Sequence, residues 1–375
     1  MADQQVQLSK ILPFPKRVIA DPDVCDKVDG LWSHDKKFLI LSGPPGVGKT
    51  RSAEDYIYKK VEQYSPSTAV EQARVSSLFP DFRTKVYSST EISIKLAESG
   101  VRFVWDLAVL HPQYSYEDLI RGYKVFSLEK GSTLEVREGL LGFMARVVEE
   151  LEKSLGNDDA PKGVLILDEI NRAPIGQLFG EAIYALDRRG AETTTPYELE
   201  GHGCTLSIPS SLMILGTMNS IDRATSGFDY ALRRRFANVS VTPSLKAVED
   251  VWSSLDPKIQ SIGPKLFSIV KSLVVESEQI GTIPKEELVL GHAYFIPPSA
   301  KNKNASATIK WLVFSYLYQV FPTLLDYLEQ GLLEFTRSDI HKIPMGEILI
   351  GEVDLYQVDE TQMEDEFLRF FDVEL

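Results

Sequence analysis

Residues 42–50 read Ser42-Gly43-Pro44-Pro45-Gly46-Val47-Gly48-Lys49-Thr50, between the apolar run Phe38-Leu39-Ile40-Leu41 and a segment of helical period. The glycines allow the backbone to curl until successive N–H groups point inward at phosphate oxygens, where a Cβ would intrude. Lys49 then reaches the β- and γ-phosphates and the Thr50 hydroxyl is placed for Mg²⁺. Ala53, Tyr56, Ile57, Val61 and Tyr64 recur at three- and four-residue spacing, so a helix starts here with its positive end on the phosphates. A strand before the loop and a helix after it separate this motif from a chance Gly/Pro turn. The nucleotide-contacting stretch is therefore Gly43, Pro44, Pro45, Gly46, Val47, Gly48, Lys49, Thr50 and Arg51.

Outward from the loop, continuous apolar runs suited to a parallel sheet covered on both faces occur at 38–41, 101–104, 164–167, 212–215 and 238–241. Helical period fills 140–155 and 177–186. This alternation predicts an α/β nucleotide-binding core with a parallel five-stranded sheet. Beyond Pro243 the pattern turns to helix after helix (245–255, 258–278, 309–333), which predicts a small all-helical lid. The expected organisation is an N-terminal extension 1–37, a core 38–243 with an insert around 105–135, a lid 244–333 and an acidic extension 334–375.

The chain has 375 residues, 43% hydrophobic and 25% charged, with a formal net charge of −14. That balance repels nucleic acid at long range, so DNA contact is expected through a partner rather than through this chain. A cluster at Lys301, Lys303 and Lys310 is equally well explained as a solvated loop. Cys25 and Cys204 lack metal-ligand spacing and point to a reducing, cytoplasmic setting. The N-terminus carries no secretory pattern. The apolar stretch 311–325 contains Gln319 and Pro322 and falls short of a membrane span, which favours a buried lid helix and no membrane.

Val164-Leu165-Ile166-Leu167 leads into Asp168-Glu169, an apolar strand ending in two carboxylates. Asp168 suits the Mg²⁺ shell, and Glu169, pointing differently, suits the attacking water. Another strand runs through Gly216-Thr217-Met218 to Asn219, whose amide can sense a γ-phosphate. Shortly after it comes Asp229-Tyr230-Ala231-Leu232-Arg233-Arg234-Arg235-Phe236, an arginine cluster able to reach a nucleotide on an adjacent subunit.

In that order these features resemble the AAA+ superfamily and, more narrowly, the McrB family, the GTPase subunits of modification-dependent restriction systems. His111-Pro112-Gln113-Tyr114-Ser115-Tyr116-Glu117-Asp118-Leu119-Ile120-Arg121-Gly122 is similar to its H-P-x-Y-x-Y-E-D-F-x-x-G insert. Asp168-Glu169-Ile170-Asn171-Arg172, Phe179-Gly180-Glu181, Met218-Asn219-Ser220-Ile221-Asp222-Arg223 and Gly291-His292-Ala293-Tyr294-Phe295 are similar to further motifs of that family. MoxR-type ATPases, chaperones that remodel or mature partner proteins, share the D-E-I-N-R-A-P stretch and the arginine run but lack the insert. They are the alternative reading.

The resemblance implies Lys49 and Thr50 on phosphates and Mg²⁺, Asp168 on Mg²⁺, Glu169 on the water and Asn219 as first sensor. It implies Arg234 or Arg235 as the arginine finger, with Arg235 preferred because it directly precedes Phe236. Asp222 and Arg223 would lie at a subunit interface near the catalytic water. The substrate would be GTP or ATP, the assembly a homo-oligomeric ring of six, and the partner an McrC-like nuclease subunit that brings the DNA. Two features depart from the pattern. Only about 37 residues precede the first strand, so recognition of modified bases is not carried over, and His292 stands near the place where many AAA+ lids put an arginine on the nucleotide.

Overall fold

The computed structural model describes residues 22–128, 131–156, 160–188, 190–221, 235–279, 283–298, 304–334, 343–344 and 360–372. It divides into two compact units, one spanning Asp23–Thr242 and one starting at Pro243.

The first unit is built on a parallel sheet of β1 (Phe38–Gly43), β2 (Val104–Val109), β5 (Gly163–Asp168), β8 (Leu212–Asn219) and β9 (Ala237–Ser240), in the order β2-β5-β8-β1-β9. Leu39, Leu41, Val164 to Leu167 and Leu212 to Leu215 are fully enclosed, as continuous apolar runs covered on both faces require. Because β8 lies between β1 and β5, the carboxyl ends of these three strands stand side by side. Gly43 pairs with Asn219, and Leu167 with Gly216. That edge is where an open α/β sheet gathers its functional loops.

The helix Lys49–Tyr64 follows the loop and buries Ala53, Tyr56, Ile57 and Val61, the face set by the sequence period. The helix Leu140–Leu155 keeps its predicted limits. Two other expectations shift. The second strand begins at Val104 instead of ending there, because its apolar run is interrupted by Asp106. This carboxylate is buried at 1% exposure and accepts from Arg74 Nε (2.9 Å), Ser76 N (2.8 Å) and Leu107 N (2.8 Å), so a charge sits inside a strand at little cost. The helical period 177–186 is broken at Gly180, whose φ of 48° ends one short helix (Ile175–Phe179) before the next (Ala182–Asp187).

Two antiparallel hairpins leave the core. One is β3 (Arg121–Leu128) with β4 (Gly131–Glu138), within the stretch expected as an insert. The other, β6 (Glu192–Leu199) with β7 (Gly203–Ser207), has no counterpart in the sequence reading. Its signal was present in the run Thr193-Thr194-Thr195 and the turn Glu200-Gly201-His202-Gly203, but Pro196 hides the alternation, and the register shifts between Thr194 and Leu199. Arg121, buried at 2% exposure, joins the hairpins by donating to the carbonyls of Gly203 (3.2 Å) and Thr205 (3.0 Å).

Ahead of β1, the helix Pro22–Ser33 packs Val24, Val28 and Trp32 into the same core. Tyr56 Oη donates to Asp29 Oδ1 at 2.9 Å, and Lys60 pairs with the same carboxylate at 2.7 Å.

Gly43 shows how closely β1 and β9 approach. A Cβ there would lie 2.2 Å from the Val241 carbonyl oxygen, a backbone atom that cannot rotate away. Gly43→Ala is expected to lower unfolding free energy by about 3 kcal/mol. Gly30→Ala, on a helix with nothing within 4 Å of the new methyl, is expected to raise it by about 0.5–1 kcal/mol. Urea titration of the pair checks the contrast, and equal midpoints would refute it.

In the second unit, Trp252 Nε1 donates to the Phe295 carbonyl (2.7 Å), its ring fills the space over Gly263, and Phe267 meets Phe295 edge-on at 5.3 Å. The stretch 311–325 is no single helix. Ala305–Ser315 passes through a π-turn, Tyr316–Val320, into Phe321–Glu329, with Pro322 in the first turn of the last segment. Proline cannot donate, and the widened turn absorbs the break. Among the described residues no helix is long and apolar enough to cross a membrane. His292 is buried and its Nδ1 accepts from Ser244 N at 3.3 Å, which gives it a packing position. Further on, Phe367 of the helix Glu360–Phe370 packs against Tyr316. The expected strand-like residues 348–350 lie outside the described residues.

Candidate functional site

Loop geometry follows from Gly46 and Gly48, whose φ values of 75° and 77° belong to the left-handed region. Gly48 caps the helix that begins at Lys49, so the first N–H groups of that helix open into the curl. Val47 anchors the loop by burying its side chain in the core. A cavity of about 270 Å³ results, lined among others by Pro45, Gly46, Lys49, Thr50, Glu169 and Asn219.

Six side chains from the loop helix and from the ends of β5 and β8 meet there in two hydrogen-bonded sets. Lys49 Nζ donates to the carbonyls of Gly43 (3.0 Å) and Pro44 (2.8 Å) and to Asn219 Oδ1 (2.7 Å). Asn219 Nδ2 donates to both Glu169 carboxylate oxygens at 3.2 and 3.3 Å. The orientation of this amide is fixed chemically, since only its oxygen can face an ammonium and only its nitrogen a carboxylate. Thr50 Oγ1 and Thr217 Oγ1 both donate to Asp168 Oδ1, at 2.7 and 2.6 Å.

Glu169 takes φ 56°, ψ 47°, a left-handed conformation that costs a non-glycine residue about 1–3 kcal/mol. It is held there by its own N–H, which donates to Thr217 Oγ1 at 3.1 Å, and by Arg172 Nε, 3.4 Å from its carboxylate. The reversal of the backbone points Glu169 away from Asp168, so adjacent carboxylates serve different atoms.

A hydroxyl and a carboxylate 2.7 Å apart offer the hard oxygen donors that magnesium prefers. Among the described residues no group of three or more His, Cys, Asp or Glu could hold a metal unaided, so a cation at this pair would complete its shell with phosphate and water oxygens. Negative charge is concentrated nearby. Burial raises the Glu54 carboxyl above its ordinary value; Arg51 opposes this, and Asp55 and Asp168 add to it. Arg51 itself pairs with Asp55 at 3.2 Å, one turn along the helix, and still lines the cavity.

The family model "AAA domain (dynein-related subfamily)" matches residues 90–236. Over 297 residues the chain is 27% identical to the type IV methyl-directed restriction enzyme EcoKMcrB subunit of Escherichia coli strain K12. The chain is similar to McrB-type AAA+ proteins. That alignment covers 78% of this chain and 54% of the E. coli protein, so the chain spans about half the length of its relative. Among solved structures, NtrX from Brucella abortus aligns over 94% of this chain and 68% of its own at 12% identity and TM-score 0.33. PCH-2 of C. elegans aligns over 93% and 67% at 14% identity and TM-score 0.25.

Within this McrB-like chain, the sequence motifs without an assigned chemistry turn out to grip one another. The Tyr116 hydroxyl donates to Glu181, its ring sits 3.0 Å from where a Cβ on Gly180 would be, and Glu117 packs over Gly122 and accepts from Tyr197 Oη at 3.2 Å. The H-P-Q-Y-S-Y-E-D-L-I-R-G and F-G-E stretches thus tie the hairpins to the helices that follow Glu169.

Of the expected site residues, the structure brings Lys49, Thr50, Asp168, Glu169 and Asn219 together. Asp222, Arg223 and Arg234 lie outside the described residues. Arg235 is engaged within its own chain, with Nε and Nη2 each 2.7 Å from an Asp187 carboxylate oxygen. Sequence reasoning missed Thr217, Arg172 and Asp187. Thr217 was legible, because it stands two residues before Asn219 on a strand and so shares its face.

Proposed function

We propose that the chain is the motor subunit of an McrBC-like restriction complex, hydrolysing GTP or ATP with Mg²⁺ in a six-membered ring and working with an McrC-like nuclease subunit that engages DNA. The observation that supports this best is the network in which one amide, Asn219, joins the phosphate-loop lysine to the base Glu169. Lys49 takes the β- and γ-phosphates. Thr50 and Asp168 would hold a magnesium ion, which when bound would supply countercharge to the developing oxyanion. Glu169 accepts the proton of the attacking water, and Asn219, released from Lys49, orients that water against the γ-phosphate.

An arginine delivered by the adjoining copy supplies about 10³ to 10⁵ in rate, so the isolated chain is nearly silent. The test is phosphate release from GTP and from ATP, with and without the nuclease partner, over a dilution series and after chelation of divalent cations. Turnover should fall per chain on dilution and vanish with chelator. Turnover per chain that stays constant down to the monomer refutes the ring, and no hydrolysis of either nucleotide refutes the enzyme.

A further inference from the structure

Asp187 ends the helix Ala182–Asp187, and Arg235 directly precedes Phe236 at the entrance to β9. Their contact is side-on and bidentate, Nε to Oδ1 and Nη2 to Oδ2, both at 2.7 Å. This fixes the plane of the guanidinium as well as its position, which a single contact leaves free to rotate. The Arg235 side chain is 13% exposed and that of Asp187 43%, so the arginine is mostly enclosed and the carboxylate open to water. Neither residue lines the phosphate-loop cavity of its own chain.

We propose that Asp187 is a positioning residue for Arg235, fixing the plane of the guanidinium so that the small part of it that reaches the surface meets the triphosphate of a neighbouring copy already oriented. This rests on the reading of Arg235 as the interface arginine. Two effects of the carboxylate compete. Pairing partly neutralises the arginine, but at a carboxylate this exposed, water screens most of that loss. Ordering works the other way, since an arginine that must be immobilised during the reaction forfeits up to about thirtyfold in rate. Ordering is the larger effect, and the pair favours turnover.

The experiment uses the full chain, above the concentration at which it assembles, and measures kcat and KM for Asp187→Ala, Asp187→Asn, Asp187→Glu, Arg235→Ala and the Asp187→Ala/Arg235→Ala double variant. Arg235→Ala should lower kcat by about 10³-fold or more. Asp187→Ala and Asp187→Asn should lower kcat by about three- to thirtyfold with KM little changed, and Asp187→Glu should recover part of it. In the Arg235→Ala background Asp187→Ala should add nothing. Mixing Asp187→Ala chains with Glu169→Gln chains should exceed the activity of either, because a sound arginine then serves a sound site. Asp187→Asn keeps the side-chain volume, and circular dichroism confirms its fold. If Arg235→Ala is impaired while Asp187→Ala and Asp187→Asn both turn over at or above the wild-type rate, the positioning role is overturned alone. If Arg235→Ala turns over normally, the interface-arginine reading fails and takes the inference with it.

Discussion

Glu169→Gln is expected to lower steady-state turnover by about 10²- to 10⁴-fold and to leave triphosphate affinity nearly unchanged. The substitution is nearly isosteric, and the Gln oxygen still accepts from Asn219 Nδ2 as Glu169 does now. It keeps the backbone N–H bond to Thr217 Oγ1 that secures the left-handed turn, so the strained conformation survives. What disappears is the charge, and with it both the proposed proton acceptor and the ion pair to Arg172. That exposed pair is worth about 0–1 kcal/mol, far too little to account for a loss of this size through folding. Single-turnover phosphate release and titration with a fluorescent triphosphate analogue separate the two quantities. Equal turnover in the variant and the wild type would leave a nucleotide-gated scaffold with no catalytic base at this position.

The parts of the site legible in the sequence were those carried by local backbone rules. The loop glycines, the helix starting at Lys49 and the apolar run ending in Asp168-Glu169 each signal their geometry within a few residues. What stayed hidden depends on contacts between distant segments. Asp106 sits inside a strand because Arg74 and Ser76, far earlier in the chain, satisfy it. The pairing of Arg235 with Asp187 could not be read from the sequence because the two stand 48 positions apart. The opposite conformations of the two adjacent carboxylates were invisible because side-chain alternation along a strand does not foresee a left-handed residue just past its end. A spacing rule also has no way to show that two separate stretches, Tyr116 and Gly180-Glu181, are conjugate halves of one contact.

Lys49→Ala is expected to weaken triphosphate binding by about 10²- to 10⁴-fold, because two charge-assisted bonds to phosphate at roughly 1.5–3 kcal/mol each are lost. In the structure the same ammonium, with the residue 8% exposed, serves Gly43 O, Pro44 O and Asn219 Oδ1. A phosphate entering the curl therefore exchanges one set of oxygens for another, and the lysine need not be dehydrated on binding. That exchange also frees the Asn219 oxygen, which makes loading of the loop and mobilisation of the amide beside Glu169 one event. Thermal unfolding reads this directly. At triphosphate about 100 times its dissociation constant the wild type gains about 2.7 kcal/mol, a shift of several degrees for a unit of this size. The variant should show almost none at the same concentration. Without nucleotide the variant should unfold within a few degrees of the wild type, since water in the cavity can replace the lost donor to the two loop carbonyls. A full nucleotide-induced shift in Lys49→Ala would place the triphosphate somewhere other than this loop.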